Sequence, residues 1–347
     1  MKILYAIQGT GNGHLSRAIE MVPALEKIGH VDVLISGQSS QLELPFPIKF
    51  NKKGLTFRTN SRGGISYFKT LIFSSIITFI KEIYLLPVQE YDLVVSDFEP
   101  VSAWSSKIFG VTCIEVSHQS AILMKNSPRP SSGHSFAKWV LRNYSPSKQK
   151  IGIHFCNYNQ DIFTPVIRQA VRNLNIRDDN FFLAYLSGYY DDQLIRFLSK
   201  FDVKWKLYSK YTKVSYRVKN VIVKPIDKTN FLNDLAACTG VFCGAGFELP
   251  SEVIYLKKKL AVMPLKGQFE QSCNAHCLKL HGITVVCSLK SSDSKSIQDW
   301  IDSSTHSLDF NFKDCKDDIV QRINFLQQRS NLGYINKTKL YETKSVY

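Results

Sequence analysis

The chain reads as an α/β protein made of two successive doubly wound domains, and three observations lead there. Its 347 residues exceed one ordinary core and fit two domains. Short β-branched runs alternate with helix-like stretches, the pattern of a parallel sheet covered on both faces. This alternation restarts near Phe181, after a stretch bearing Pro165 and a run of charged residues. A hydrophobic content of 44% with 12% aromatics excludes a disordered chain.

The first series opens with a strand at Lys2–Gln8, a glycine turn, and a helix from about Leu15 to Ile28 that Gly29 stops. Val31–Ser36, Leu93–Ser96 and Val111–Val116 follow as strands. The opening MKILYAIQGTG is no secretory signal, because its apolar run is short, broken by Gln8, and ends in glycines. A cytoplasmic protein is expected. The second series runs through FFLAYLSG, Val203–Tyr208, Val221–Ile226, Gly240–Cys243 and Leu260–Pro264, and a helix is expected near Asp317–Gln328. The domain expectation is therefore 1–160, a linker at 161–180, and 181–347.

The most apolar stretch, Ile65–Val88, is interrupted by Lys69, Lys81 and Glu82, too soon for the roughly 20 residues of a membrane span. Phe68, Ile72, Ile76, Phe79 and Ile83 recur at helical spacing. Two readings stand: a helix packed in the core, or one whose apolar face docks on a membrane surface.

A formal charge of +15 calls for an anionic partner, whether nucleic acid, anionic lipid or a phosphorylated substrate. Zinc-finger spacing and aromatic RNA-binding motifs are missing, which argues against nucleic acid. The eight cysteines include no CxxC pair. Cys273 and Cys277 lie near His276 and His281 but form no closed set of about four ligands, so free thiols and no metal are expected.

Chemistry concentrates at the expected strand ends. Gly244-Ala245-Gly246 follows a strand and opens a helix through Phe247-Glu248-Leu249-Pro250-Ser251-Glu252. Free backbone N–H groups at such a helix start suit a diphosphate, and a carboxylate such as Glu252 suits a ribose diol. Leu265-Lys266-Gly267-Gln268-Phe269-Glu270-Gln271 stands at the next strand end, with Glu270 and Gln271 offering acceptors and donors to sugar hydroxyls. At the N-terminus, Gly9-Thr10-Gly11-Asn12-Gly13-His14 lacks G-x-G-x-x-G spacing, and Ile35-Ser36-Gly37 ends the second strand without an acid. A nicotinamide enzyme is thereby disfavoured.

Together these blocks, chiefly Gly244–Gly282 and more weakly Gly9–Ala18, resemble the GT-B glycosyltransferases. The likeness is to the lipid-linked N-acetylglucosaminyl transferase of peptidoglycan synthesis, related UDP-sugar enzymes, and a set of poorly characterised bacterial and archaeal relatives. The resemblance implies two Rossmann-like domains facing a cleft, with a nucleotide-sugar donor on the second and an acceptor on the first, without cofactor or metal. It implies that Glu252 binds the ribose, that Glu270 and Gln271 bind the donor sugar, and that Asn274 supports their turn. Ile226 would meet the base, and Ser187, Gly188, Gly244, Ala245 and Gly246 the diphosphate. Ser187-Gly188-Tyr189-Tyr190 has fewer glycines than the pattern, and Gly246-Phe247-Glu248 stands where small hydroxyl residues are usual.

On the acceptor side the same resemblance brings Gly11, Asn12, Gly13 and His14 to the cleft. His14 is either the catalytic base or a residue holding the loop. Asp97 and Glu99 end a strand on the same edge, Asp97 as an alternative base or a support for His14, and His118 ends the next strand as a pocket or structural residue. The acceptor is expected to be a cell-envelope or lipid-linked glycan, with possible contact to the inner face of an anionic membrane. Rival functions are a sugar-nucleotide 2-epimerase on the same scaffold and a non-catalytic nucleotide or nucleic-acid binder.

Overall fold

A computed structural model gives the architecture of residues 1–37, 44–55, 76–131, 134–304 and 310–344, with side chains described as far as residue 330. Among these residues two seven-stranded sheets form. The first contains β1 (Lys2–Gln8), β2 (His30–Ser36), β3 (Phe50–Lys52), β4 (Leu93–Asp97), β5 (Cys113–Ser117), β6 (Gln149–Ile153) and β7 (Ile162–Phe163). Its order is β3-β2-β1-β4-β5-β6-β7, all parallel. The second contains β8 (Phe182–Tyr185), β9 (Trp205–Ser209), β10 (Tyr216–Val218), β11 (Val221–Pro225), β12 (Gly240–Gly244), β13 (Lys259–Met263) and β14 (Thr284–Val285). Its order is β10-β11-β9-β8-β12-β13-β14, parallel except for the β10–β11 pair.

The expected class, two Rossmann-like domains facing a cleft, is what forms. Residues Ile3–Gln8 of β1 are buried on both faces, so the strand reads as a continuous apolar run rather than an alternating one. Each such Ile or Leu stabilises the fold by about 1.5–3 kcal/mol. The first helix is Asn12–Glu26, starting earlier than the Leu15 expected, because Gly11 is already extended as its N-cap. β7 lies inside 161–180, so the first sheet reaches into the stretch expected to be a linker.

Of the apolar stretch, 65–75 falls outside the described residues, including Phe68, Lys69 and Ile72. A helix is described at Ile76–Leu85, in which Ile83 is buried against Leu86 and Val88. The C-terminal helix Lys316–Lys344 returns to the first domain, where Lys27 Nζ donates to Asp317 (2.7 Å) and Lys316 Nζ to Glu20 (2.9 Å).

Each sheet changes winding direction once, between β1 and β4 and between β8 and β12, leaving a crevice at the carboxyl ends of those strands. The two crevices face each other. A Cβ built on Gly13 in the first domain would come within 2.8 Å of Glu248 Cγ in the second, so any larger residue there would push the Glu248 side chain aside.

Candidate active site

The first crevice is built by β1, β4 and the helix Asn12–Glu26. His14 and Arg17 stand three residues apart on one face of that helix and converge on Asp97, the last residue of β4. His14 Nδ1 lies 2.8 Å from Asp97 Oδ1, while Arg17 forks onto the carboxylate through Nε (2.9 Å) and Nη2 (3.1 Å). Asp97 is fully buried. Burial alone would raise its carboxyl, but the Arg17 guanidinium and His14 outweigh it and hold Asp97 below the usual carboxylate range. An ionised carboxylate only accepts, so His14 donates Nδ1–H to it, and Nε2 is the ring nitrogen left over. The 3.3 Å approach of Arg17 Nη2 to Nδ1 is then a contact, since a guanidinium has no acceptor.

Phe98 follows in the left-handed region (φ 55°) and stacks on Tyr144 at 4.7 Å, and this tight corner turns the chain away after Asp97. Glu99, a candidate on the same edge, is not beside His14. Its carboxylate accepts from the backbone N–H of Val101 (2.8 Å) and Ser102 (2.6 Å), capping the helix Pro100–Phe109.

In the second domain the helix Glu248–Tyr255 begins with Phe247 as N-cap and no side-chain cap bond, so its first amides face the crevice without a side-chain acceptor. Contacts cross between the domains. Arg17 Nη1 donates to Glu248 Oε1 (3.0 Å), and Gln119 Nε2 donates to Glu270 Oε2 (3.0 Å). His118 is buried and stacks on Phe247 (centroids 3.9 Å apart), its Nε2 2.6 Å from Asn274 Oδ1 and its Nδ1 2.8 Å from Ile153 O. Burial pushes its imidazole below the usual histidine value.

Between the domains lies a cavity of about 310 Å³. Of the residues expected from sequence it gathers Gly11, Gly13, His14, His118, Gly246, Glu270 and Gln271, with Asp97 behind His14. Gln271 is partly committed, its Oε1 accepting from Leu265 N (2.9 Å). Asn12 is exposed outside the cavity. Ser187, Gly188, Ile226, Gly244, Ala245 and Glu252 do not line it. Ser187 and Gly188 lie in the turn after β8, where the tip of the Leu265 side chain packs against Gly188 and would have to move to admit a Cβ. Ile226 is exposed just past β11. Gly244 ends β12, and the carbonyl of buried Ala245 accepts from Asn274 Nδ2 (3.1 Å).

Glu252 was expected to point at a ligand from the helix. Its buried carboxylate also accepts from Arg168, through Nε (2.6 Å) and Nη2 (2.8 Å), because that turn of the helix faces the connection between the domains. Sequence reasoning passed over Arg17, Gln119 and Arg168. Only Arg17 left a local signal, a charge on the face of the first helix shared with buried Ala18, Met21 and Val22. Among the described residues no group of three or more His, Cys, Asp or Glu side chains is placed to hold a metal ion.

With this geometry in place, the sequence model of glycosyl transferase family 1 matches residues 1–303. The chain belongs to glycosyl transferase family 1. Solved structures resemble this family 1 glycosyltransferase at low identity. Phytolacca americana UGT2, complexed with UDP-2fluoro-glucose and pterostilbene, is 12% identical with a TM-score of 0.57, covering 94% of this chain and 93% of its own. The Streptomyces sp. SF2575 glycosyltransferase SsfS6, complexed with thymidine diphosphate, is 14% identical with a TM-score of 0.54, covering 94% and 95%. SnogD from Streptomyces nogalater is 13% identical with a TM-score of 0.51, covering 94% and 95%. At these identities the likeness is one of fold. No curated protein matches the glycosyltransferase.

Proposed function

We propose that this glycosyltransferase moves a sugar from a nucleotide-sugar, a UDP-sugar by resemblance, to an acceptor hydroxyl that His14 deprotonates. One observation carries the reading: the Asp97-bound imidazole faces, across the cavity, a helix start whose amides lack a side-chain cap. The acceptor oxygen gives its proton to His14 Nε2 and bonds to the anomeric carbon. The bond from that carbon to the diphosphate breaks, and the nucleoside diphosphate leaves with the electron pair toward the helix amides. Direct attack of this kind inverts the anomeric centre, and the helix end supplies the positive charge without a metal. UDP-2fluoro-glucose and thymidine diphosphate in the structural neighbours fit a nucleotide donor.

A thermal-shift screen against UDP-, GDP- and dTDP-sugars tests the donor class, with a selective rise expected for one nucleotide. Incubation with UDP-N-acetylglucosamine alone should give slow hydrolysis at most. Conversion to a 2-epimer would replace the transferase reading with that of an epimerase.

Glu252 is read as the ribose ligand, with Glu270 and Gln271 on the sugar, Ser187 and Gly188 near the diphosphate, and Ile226 near the base. Each Glu252 oxygen engaged by Arg168 keeps a lone pair for a sugar hydroxyl. Glu252→Ala is expected to weaken UDP binding by about 1.5–3 kcal/mol. Calorimetry giving unchanged affinity in a folded variant removes Glu252 from the site.

The acceptor is read as lipid-linked and met at an anionic membrane surface. On the helix Ile76–Leu85, Ile77 is 80% and Leu85 63% exposed, and a groove lined by Lys107, Arg142 and Lys148 opens on the same domain. Nearby Lys or Arg side chains each gain about 1 kcal/mol from anionic headgroups. Among the described residues no helix is long and apolar enough to cross a membrane. The protein should sediment with phosphatidylglycerol vesicles in a salt-sensitive way. Paired Ile77→Ser and Leu85→Ser changes should reduce that binding at an unchanged melting temperature. Absence of wild-type sedimentation removes the membrane from the reading.

A further inference from the structure

Glu248 is the first residue of the helix Glu248–Tyr255, where the donor diphosphate is read to bind, and an ionised carboxylate there opposes that ligand. Its side chain lies over Gly13, is 22% exposed, and rests on Arg17 Nη1 at 3.0 Å. The titratable and charged groups around it come from every neighbouring element: His14 and Arg17 from the first helix, Asp97 from β4, Glu252 one turn along its own helix, and Arg168 from the connection. The Tyr5 phenol lies below, and His118 and Glu270 share the cavity.

Arg168 is forked onto Glu252, and Arg17 is forked onto Asp97. Glu248 is left to share Arg17, so three carboxylates stand against two guanidiniums. Burial, opposed by Arg17 and reinforced by Glu252 and Asp97, pushes the Glu248 carboxyl up to about 7. The cluster has room for one proton, and a diphosphate adds negative charge beside it.

We propose that Glu248 couples donor binding to proton uptake: a nucleoside diphosphate arriving at this helix is accompanied by one proton from solvent, which neutralises the Glu248 carboxylate. The neutral carboxyl can donate to a phosphate oxygen, and Arg17 Nη1 loses its charged partner and turns its positive charge to the ligand. This rests on the nucleotide-sugar reading above. The sign follows from linkage. The diphosphate raises the carboxyl further, so uptake occurs between its free and bound values, and affinity falls by up to about tenfold per pH unit above neutrality. At acid pH the carboxyl already carries its proton, and affinity levels off.

The test is titration calorimetry with UDP-N-acetylglucosamine near pH ~7.5 in two buffers of different ionisation enthalpy, which counts protons taken up. This probe has no phosphate monoester and so lacks the ionisation near about pH 6 that free UDP would add. Wild type is expected to take up a large fraction of a proton. Glu248→Gln, of the same shape and permanently neutral, should take up none and bind with a flat pH profile. Wild-type binding without uptake, or uptake retained in the glutamine variant, overturns the proposal while leaving the donor reading intact. Silence with UDP-, GDP- and dTDP-sugars alike overturns the donor reading, and the proposal with it.

Discussion

Replacing His14 with alanine is expected to lower turnover by about two to four orders of magnitude while leaving nucleotide affinity unchanged, the range associated with a general base. The expectation rests on position. Asp97 accepts a hydrogen bond from Nδ1–H and fixes the ring, so Nε2 is the nitrogen left for the cavity that His14 lines. The histidine sits on the acceptor domain, and its loss should spare the donor. Asp97→Asn should give a smaller loss, because an amide holds the ring with a weaker, uncharged bond. Single-turnover kinetics beside calorimetry separates the cases. A drop of only a few-fold in His14→Ala places the base elsewhere, and Asp97 becomes the next candidate.

The second large effect is on stability. Arg17→Ala strands Asp97, fully buried, without its guanidinium, and breaking a buried ion pair from one side costs about 3–5 kcal/mol. Lysine should not rescue, because it cannot fork onto both carboxylate oxygens. The pH dependence has a definite sign. In the native protein Asp97 is held below its unfolded value, so its stabilisation is complete above about 3.9 and fades as pH falls toward its folded value. Without Arg17, burial raises the carboxyl instead, and the destabilisation is largest near neutral pH and shrinks in acid. Urea melts at several pH values check this, and Asp97→Asn in the Arg17→Ala background should recover part of the loss. A single-variant cost below about 1 kcal/mol would mean that Asp97 does not depend on Arg17.

What sequence could deliver was local. Lys2–Gln8 matches its strand residue for residue, because an apolar run ending at a glycine turn leaves few alternatives. Four of the strands left unread, β3, β7, β10 and β14, are two or three residues long and lie at sheet edges, too short to carry a period. Gln149–Ile153 hid because its polar start follows Ser147 and Lys148. At the site, the glycine turns and His14 were legible because strand ends in a wound sheet announce where ligands approach. The pairing of Arg17 with Glu248 spans 231 positions, and that of Arg168 with Glu252 spans 84, so neither leaves a local pattern. Glu252 shows the limit most clearly. Its place on the helix could be inferred, but the arginine that occupies it could not.

The returning C-terminal helix bears on how the chain is made. Ile319, Val320 and Ile323 are buried in the same core as Leu15, Met21 and Leu25 of the first domain. During synthesis the first sheet is complete at β7, yet the segment that covers this flank is translated some 150 residues later. At roughly 5–20 residues per second that is a delay of about eight to thirty seconds. Throughout that interval the nascent first domain carries an uncovered apolar flank. A fragment ending near the domain junction should therefore aggregate or recruit chaperones, and adding the helix segment in trans should relieve it.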